Sequence, residues 1–162
     1  ALERLLDRPW HLVVVGGGAA ADVVHARFAC FPPGRVRFVG TQPPATVAAL
    51  LAGADLFVWP AVAEVIGLAL LEAQACGVPV VAGRRPGVAA IVDDGRTGRL
   101  TPPGDTAAFA AAVGALLDDP AGRVAMGRRA RAHARERHDL ASAARSLDAV
   151  LARITAAREA AR

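Results

Sequence analysis

Apolar residues in this chain gather in short unbroken runs, separated by longer stretches rich in Ala and Leu. The runs His11–Val15, Val36–Val39, Leu56–Trp59 and Val78–Ala82 lack a strict apolar–polar alternation. Several are continuous, as in strands covered on both faces. Gly98–Leu100 is a weaker candidate of the same kind. Between these runs, Ala19–Cys30, Pro43–Ala52, Leu68–Cys76 and Gly87–Val92 read as helices. The alternation predicts an α/β fold: a Rossmann-like, doubly wound parallel sheet.

After Thr101 the rhythm changes. Pro102-Pro103-Gly104 is a turn, and Asp105 has the chemistry of a helix N-cap. Helices are predicted over Thr106–Leu117, Pro120–Arg137 and Leu140–Ala157, with Pro120 at a first helical position after Asp119. This helical third is expected to pack on the sheet. No internal repeat or linker divides residues 1–162, so they read as one domain. Ala1–Arg8 resembles the end of a helix leading into a strand. The reading therefore expects a strand, part of a helix and a further domain ahead of Ala1.

With 162 residues and 54% apolar content, the chain can bury a core and is not disordered. Its apolar stretches are interrupted before the roughly 18–20 residues of a membrane span, and no leader pattern opens it. A soluble, cytoplasmic domain is expected. The net charge of +4 comes from Arg without Lys. That balance raises nucleic acid or an acidic membrane surface as partners. The Arg cluster from Arg123 to Arg137, however, is interrupted by Ala, and five Phe, two Trp and no Tyr make poor stacking platforms. A solvated helix face is the preferred reading, with no nucleic-acid partner. Cys30 and Cys76 are expected to be buried reduced thiols within helices. Four scattered His complete no metal cluster.

The chemistry concentrates between Trp59 and Pro79. Ligands of open α/β sheets bind beyond the carboxyl ends of the strands, which places the loop Pro60–Gly67 at the crevice. The following helix start offers free N–H groups and a positive dipole end to an anion. Gly67, lacking a Cβ, lets a phosphate approach the N–H groups of Leu68 and Ala69. Glu72 lies roughly 7–8 Å further along the helix, about the distance from a pyrophosphate to a ribose. Glu64 lies on the other side of Gly67, where a sugar on the far phosphate would sit. Singly, each residue reads as an ordinary turn or surface residue; together they favour a nucleotide-sugar site.

Glu64 and Glu72 resemble the E-x7-E motif of retaining glycosyltransferases of the GT-B fold, family 4 (group 1). Leu70-Leu71-Glu72-Ala73-Gln74-Ala75-Cys76-Gly77-Val78-Pro79-Val80-Val81-Ala82 is similar to that family's LLEAxAxGxPVVA. Val36–Gly40, Ala54–Val58, Asp94–Gly98 and Pro102–Asp105 follow its order and spacing. The resemblance implies the C-terminal, donor-binding half of a hexosyltransferase. It assigns Glu64 to the donor-sugar hydroxyls and to catalysis, and Glu72 to the ribose. Gly67, Leu68 and Ala69 become the diphosphate turn. Gly16 and Gly18 lie near the nucleotide, and Val39, Gly40 and Thr41 beside the base.

The implied partners are a nucleotide sugar, an N-terminal acceptor domain and a membrane-associated glycan acceptor at the inner face. The implied chemistry needs no cofactor and no metal, because the helix dipole and basic groups neutralise the diphosphate. The family's diphosphate-binding Arg and Lys precede the equivalent of Ala1. On this reading the fragment binds donor weakly and transfers nothing. Three positions depart from the family pattern: Val65 and Ile66 replace Gly and an aromatic, and Ala90 replaces a Glu. Those changes leave room for a degenerate scaffold domain. Gly16-Gly17-Gly18-Ala19-Ala20-Ala21 fits G-x-G-x-x-A, but Val39-Gly40-Thr41 stands where a nicotinamide dinucleotide site needs an acid.

Overall fold

The computed structural model describes residues 1–160. A 3-10 turn over Leu2–Leu5 leads into β1 (Leu12–Val14), α1 (Ala21–Phe28), β2 (Val36–Phe38), α2 (Pro44–Ala52) and β3 (Phe57–Trp59). There follow α3 (Leu68–Ala75), β4 (Val80–Gly83), α4 (Pro86–Ile91) and β5 (Gly98–Thr101). The chain closes with α5 (Thr106–Asp118), α6 (Pro120–Arg137) and α7 (Leu140–Ala160). Every strand pair is parallel, as the predicted fold requires.

Strand β4 is buried along its whole length, and its side chains divide between two layers. Val80 and Ala82 pack with Leu51 of α2, Leu70 and Ala73 of α3, and Val88 and Ile91 of α4. Val81 points the other way, into Leu5, Trp10, Phe109, Val113 and Leu116. Helix α6 closes on α3 where Gly127 meets Gly77; a Cβ on Gly127 would overlap the Gly77 carbonyl.

The sheet is divided. Strand β1 pairs with β2, and β3-β4-β5 form a second group. Helices α2 and α3 lie on one face, while Phe28 of α1 stacks on Phe31, which belongs to the opposite layer. Right-handed crossovers would put β1 and β3 at the inner edges of the two groups, with the winding reversing between them. Leu12 N–H donates to Arg35 and Val14 accepts from Val39, so the intervening Val13 turns its backbone to the seam. Phe57 N–H donates to Pro79, which turns the Val58 backbone to the same seam. Val13 is 44% exposed and Trp59 40%.

Several expectations need correction. The residues before β1 form a single 3-10 turn, with Leu5 as their buried anchor. Helix α1 ends at Phe28 ahead of Pro32-Pro33, which leaves Cys30 exposed rather than buried; Cys76 caps α3 and is half-buried. Helices α5 and α6 pack on the sheet, but α7 does not: Leu140, Leu147 and Ile154 are exposed along it. The helix breaks at His138–Asp139, between α6 and α7. No described helix is long and apolar enough to cross a membrane.

Candidate functional site

Three loops leave the carboxyl ends of β1, β2 and β3, and they carry all the residues singled out above except Glu72 and Ala69, which lie on α3, Leu68, which opens α3, and Ala90, on α4. At the first two, Gly16 N–H donates to the Gly40 carbonyl at 2.8 Å, and Val39 N–H donates to Val14 at 3.0 Å. Gly17 lies against the Thr41 hydroxyl. Gly16, Gly18, Val39, Gly40 and Thr41 are thus brought together. Gly16 and Gly18 adopt φ of 117° and 147° with open space where a Cβ would point, so the backbone there is bare.

Gly67 is the N-cap of α3, at φ 77° and ψ 59° in the left-handed region, and no side chain caps the helix. A side chain here would be strained by conformation and also by space, since a Cβ would lie 2.7 Å from Leu70 Cδ1 and 3.2 Å from Glu64 Cγ. The first turn's bonds begin with Leu70 N–H to the Gly67 carbonyl at 2.9 Å. Among the described residues the N–H groups of Leu68 and Ala69 have no partner, and Leu68 is 66% exposed. That is an uncapped positive helix end facing outward. Glu72 is four residues after Leu68, on the same exposed face, while Leu70, Ala73 and Gln74 turn inward. The helix start is open rather than sealed by packed protein.

Glu64 is half-buried. Its Oε2 accepts from Trp59 Nε1 at 3.1 Å and its Oε1 from the Val65 N–H at 3.0 Å. Arg85, immediately before α4, donates from Nε to the Val62 carbonyl at 3.0 Å and from Nη2 to the same oxygen. Neither Trp59 nor Arg85 stood out in the sequence, because both act across a loop whose path is not local. Val65 and Ile66 are 75% and 54% exposed, lining the loop with apolar side chains. Ala90 is exposed on α4. The site is an open surface; a groove of about 430 Å³ lies elsewhere, between Arg4, Arg8 and Asp118.

The histidines stand apart from these loops. His25 lies against the Phe38 ring, centroids 3.8 Å apart, and His133 lies 5.6 Å from His138. Burial, then the charges of His138 and Arg137, hold His133 below the usual histidine range, with Asp93 pulling the other way. Among the described residues no three His, Cys, Asp or Glu side chains converge as metal ligands.

The family model "Glycosyl transferases group 1" matches residues 1–119. A D-inositol 3-phosphate glycosyltransferase of Corynebacterium diphtheriae is 40% identical over 154 residues, covering 92% of this chain and 36% of the relative. Sucrose-phosphate synthase from Thermosynechococcus elongatus superposes with a TM-score of 0.84 at 29% identity, over 96% of this chain and 41% of that one. Anabaena HepE, solved in complex with UDP-glucose, gives a TM-score of 0.80 at 26% identity, over 93% of this chain and 43% of its own. The chain spans between a quarter and about a third of the length of the curated relatives it matches.

Proposed function

The chain belongs to the group 1 glycosyltransferases, and from that premise we propose that it is the donor-binding domain of a hexosyltransferase that uses a nucleotide-diphosphate sugar. The observation that carries this reading is the uncapped start of α3, with free Leu68 and Ala69 N–H groups between Glu64 and Glu72. An anionic diphosphate suits that helix end, which stabilises charge without reorganising. Glu72 accepts hydrogen bonds from the ribose diol and Glu64 from the sugar hydroxyls. Gly16 and Gly18 admit the nucleotide, and Val39, Gly40 and Thr41 flank the base. Relatives' names and ligands support the class: the C. diphtheriae protein is a glycosyltransferase, and HepE holds UDP-glucose.

Transfer retains the anomeric configuration, with the donor phosphate helping to deprotonate the acceptor. Glu64 steadies the sugar while the helix end takes the charge of the departing diphosphate. The acceptor, a glycan or lipid-linked glycan at the inner membrane face, and the other wall of the cleft belong to an N-terminal domain. A further strand of that longer polypeptide fits the seam, where β1 and β3 present unpaired parallel edges. On this account residues 1–162 bind donor weakly and do not transfer the sugar.

The test is ligand-induced stabilisation. UDP-glucose at about 100 times its Kd stabilises the fold by about 2.7 kcal/mol. Glu72→Ala abolishes that gain if the site is live. No gain in the wild-type chain favours a domain retained as a scaffold, and a gain unchanged by Glu72→Ala places the ligand away from Glu72. A gain with nicotinamide dinucleotide in place of UDP-glucose favours a dinucleotide site.

A further inference from the structure

The loop bearing Glu64 rests on the segment Gly83–Gly87, which touches it at three carbonyls. A Cβ on Gly83 would overlap the Pro60 carbonyl, and one on Gly87 would overlap that of Val65. Between these two close approaches, Arg85 donates Nε and Nη2 to the Val62 carbonyl. The glycines need only lack a side chain. Arg85 supplies a directed bond, with a planar fork that loses little freedom per hydrogen bond made. Its contact falls two residues before Glu64, and the Gly87 contact one residue after it.

The carboxylate itself is held from a different element. Trp59 is the last residue of β3, in register with Ala82 of the fully buried β4. Its ring stacks on Phe57 with centroids 6.3 Å apart, which orients the indole N–H toward Glu64 Oε2. The Val65 N–H occupies Oε1. An ionised carboxylate has about four acceptor positions. With one taken on each oxygen, both oxygens keep a position for a hydroxyl, and the plane of the group is set.

We propose that Arg85 and Trp59 are positioning residues for Glu64: Arg85 fixes the loop backbone, and Trp59 fixes the carboxylate, so that two acceptor sites face a vicinal pair of donor-sugar hydroxyls. This rests on the reading of Glu64 as the residue that meets the sugar. Immobilising one such side chain at binding costs about 0.5–1.5 kcal/mol, so its prior fixation is worth about two- to thirteenfold in affinity. That gain belongs to the sugar and not to the nucleotide, which α3 and Glu72 hold.

The experiment has two arms on the 162-residue chain. The first follows the indole N–H resonances of Trp59 and Trp10 by NMR. Trp10 is buried and bonded to the Leu5 carbonyl, so its resonance reports on the fold. Glu64→Gln and Arg85→Ala both shift the Trp59 resonance and speed its exchange with water, while the Trp10 resonance stays in place. Arg85→Lys moves the Trp59 resonance less than Arg85→Ala does. A Trp59 resonance indifferent to Arg85→Ala overturns the clamp, whether or not any donor binds. The second arm compares affinities for UDP and UDP-glucose. Arg85→Ala and Trp59→Phe lose about two- to thirteenfold for UDP-glucose and nothing for UDP. Equal losses for both ligands, or none, overturn the positioning role. Failure of the wild-type chain to bind either ligand overturns the donor-site reading, and the resonance arm still decides the clamp.

Discussion

Replacing Gly67 with Ala perturbs the junction on which the proposed donor site depends. At φ 77° an L-residue costs about 1–2 kcal/mol in backbone conformation alone. The added Cβ would also stand 2.7 Å from Cδ1 and 3.3 Å from Cγ of Leu70, which is 0% exposed and packed in the core. Overpacking a full core costs about 1–3 kcal/mol. Together the terms give about 2–5 kcal/mol, a large share of a domain stability of roughly 5–15 kcal/mol. For a chain of this size Tm should fall by about 5–20 °C. Gly104→Ala is the control, since Gly104 has a similar φ of 79° and nothing within 4 Å of its Cβ position. It should lose only the conformational part, about 1–2 kcal/mol. Any benefit from a less flexible unfolded chain is common to both variants and cancels. Urea denaturation of the pair isolates the packing part. If Gly67→Ala is no more destabilising than Gly104→Ala, Leu70 and Gly67 are not packed as described.

The other consequences are smaller or concern pH. Asp105 accepts from the N–H groups of Ala107 and Ala108 at 3.0 and 2.8 Å, so Asp105→Ala should cost about 1 kcal/mol in urea denaturation. His133 titrates lower in the folded protein than its ordinary 6.5, mainly through burial. The unfolded chain therefore takes up its proton first as pH falls. The neutral group's share of stability is complete above 6.5 and is lost as pH drops through the folded value. Tm measured from pH 7 downward should fall less steeply in His133→Gln than in the wild type.

Local signals in the sequence were enough for much of this architecture. Asp119-Pro120 marks the start of α6, and the helix runs over Pro120–Arg137 as the pattern predicts. The unbroken run Val78–Ala82 contains most of the strand that is buried on both faces. Gly67 followed by an apolar helix located the uncapped start of α3, because a glycine cap and a helix start are local chemistry. Long-range facts were not legible. Apolar content shows that α7 has a face to cover, but not that Leu140 and Leu147 stand exposed. The split between β1 and β3 depends on crossover handedness and on which layer each helix joins. Cys30 depended on where α1 stops, two residues earlier than its Ala-rich composition suggests. Arg85 reaches Val62 from 23 residues away, a separation with no periodic signature.

The central claim is that a diphosphate rests on the start of α3. An amide NMR titration with UDP-glucose addresses it most directly. Saturable shifts should be largest at Leu68 and Ala69, accompanied by Gly16 and Gly18, with the Gly104 turn unmoved. Saturation with Leu68 and Ala69 silent, and the shifts gathered instead in the groove of Arg4, Arg8 and Asp118, would contradict it.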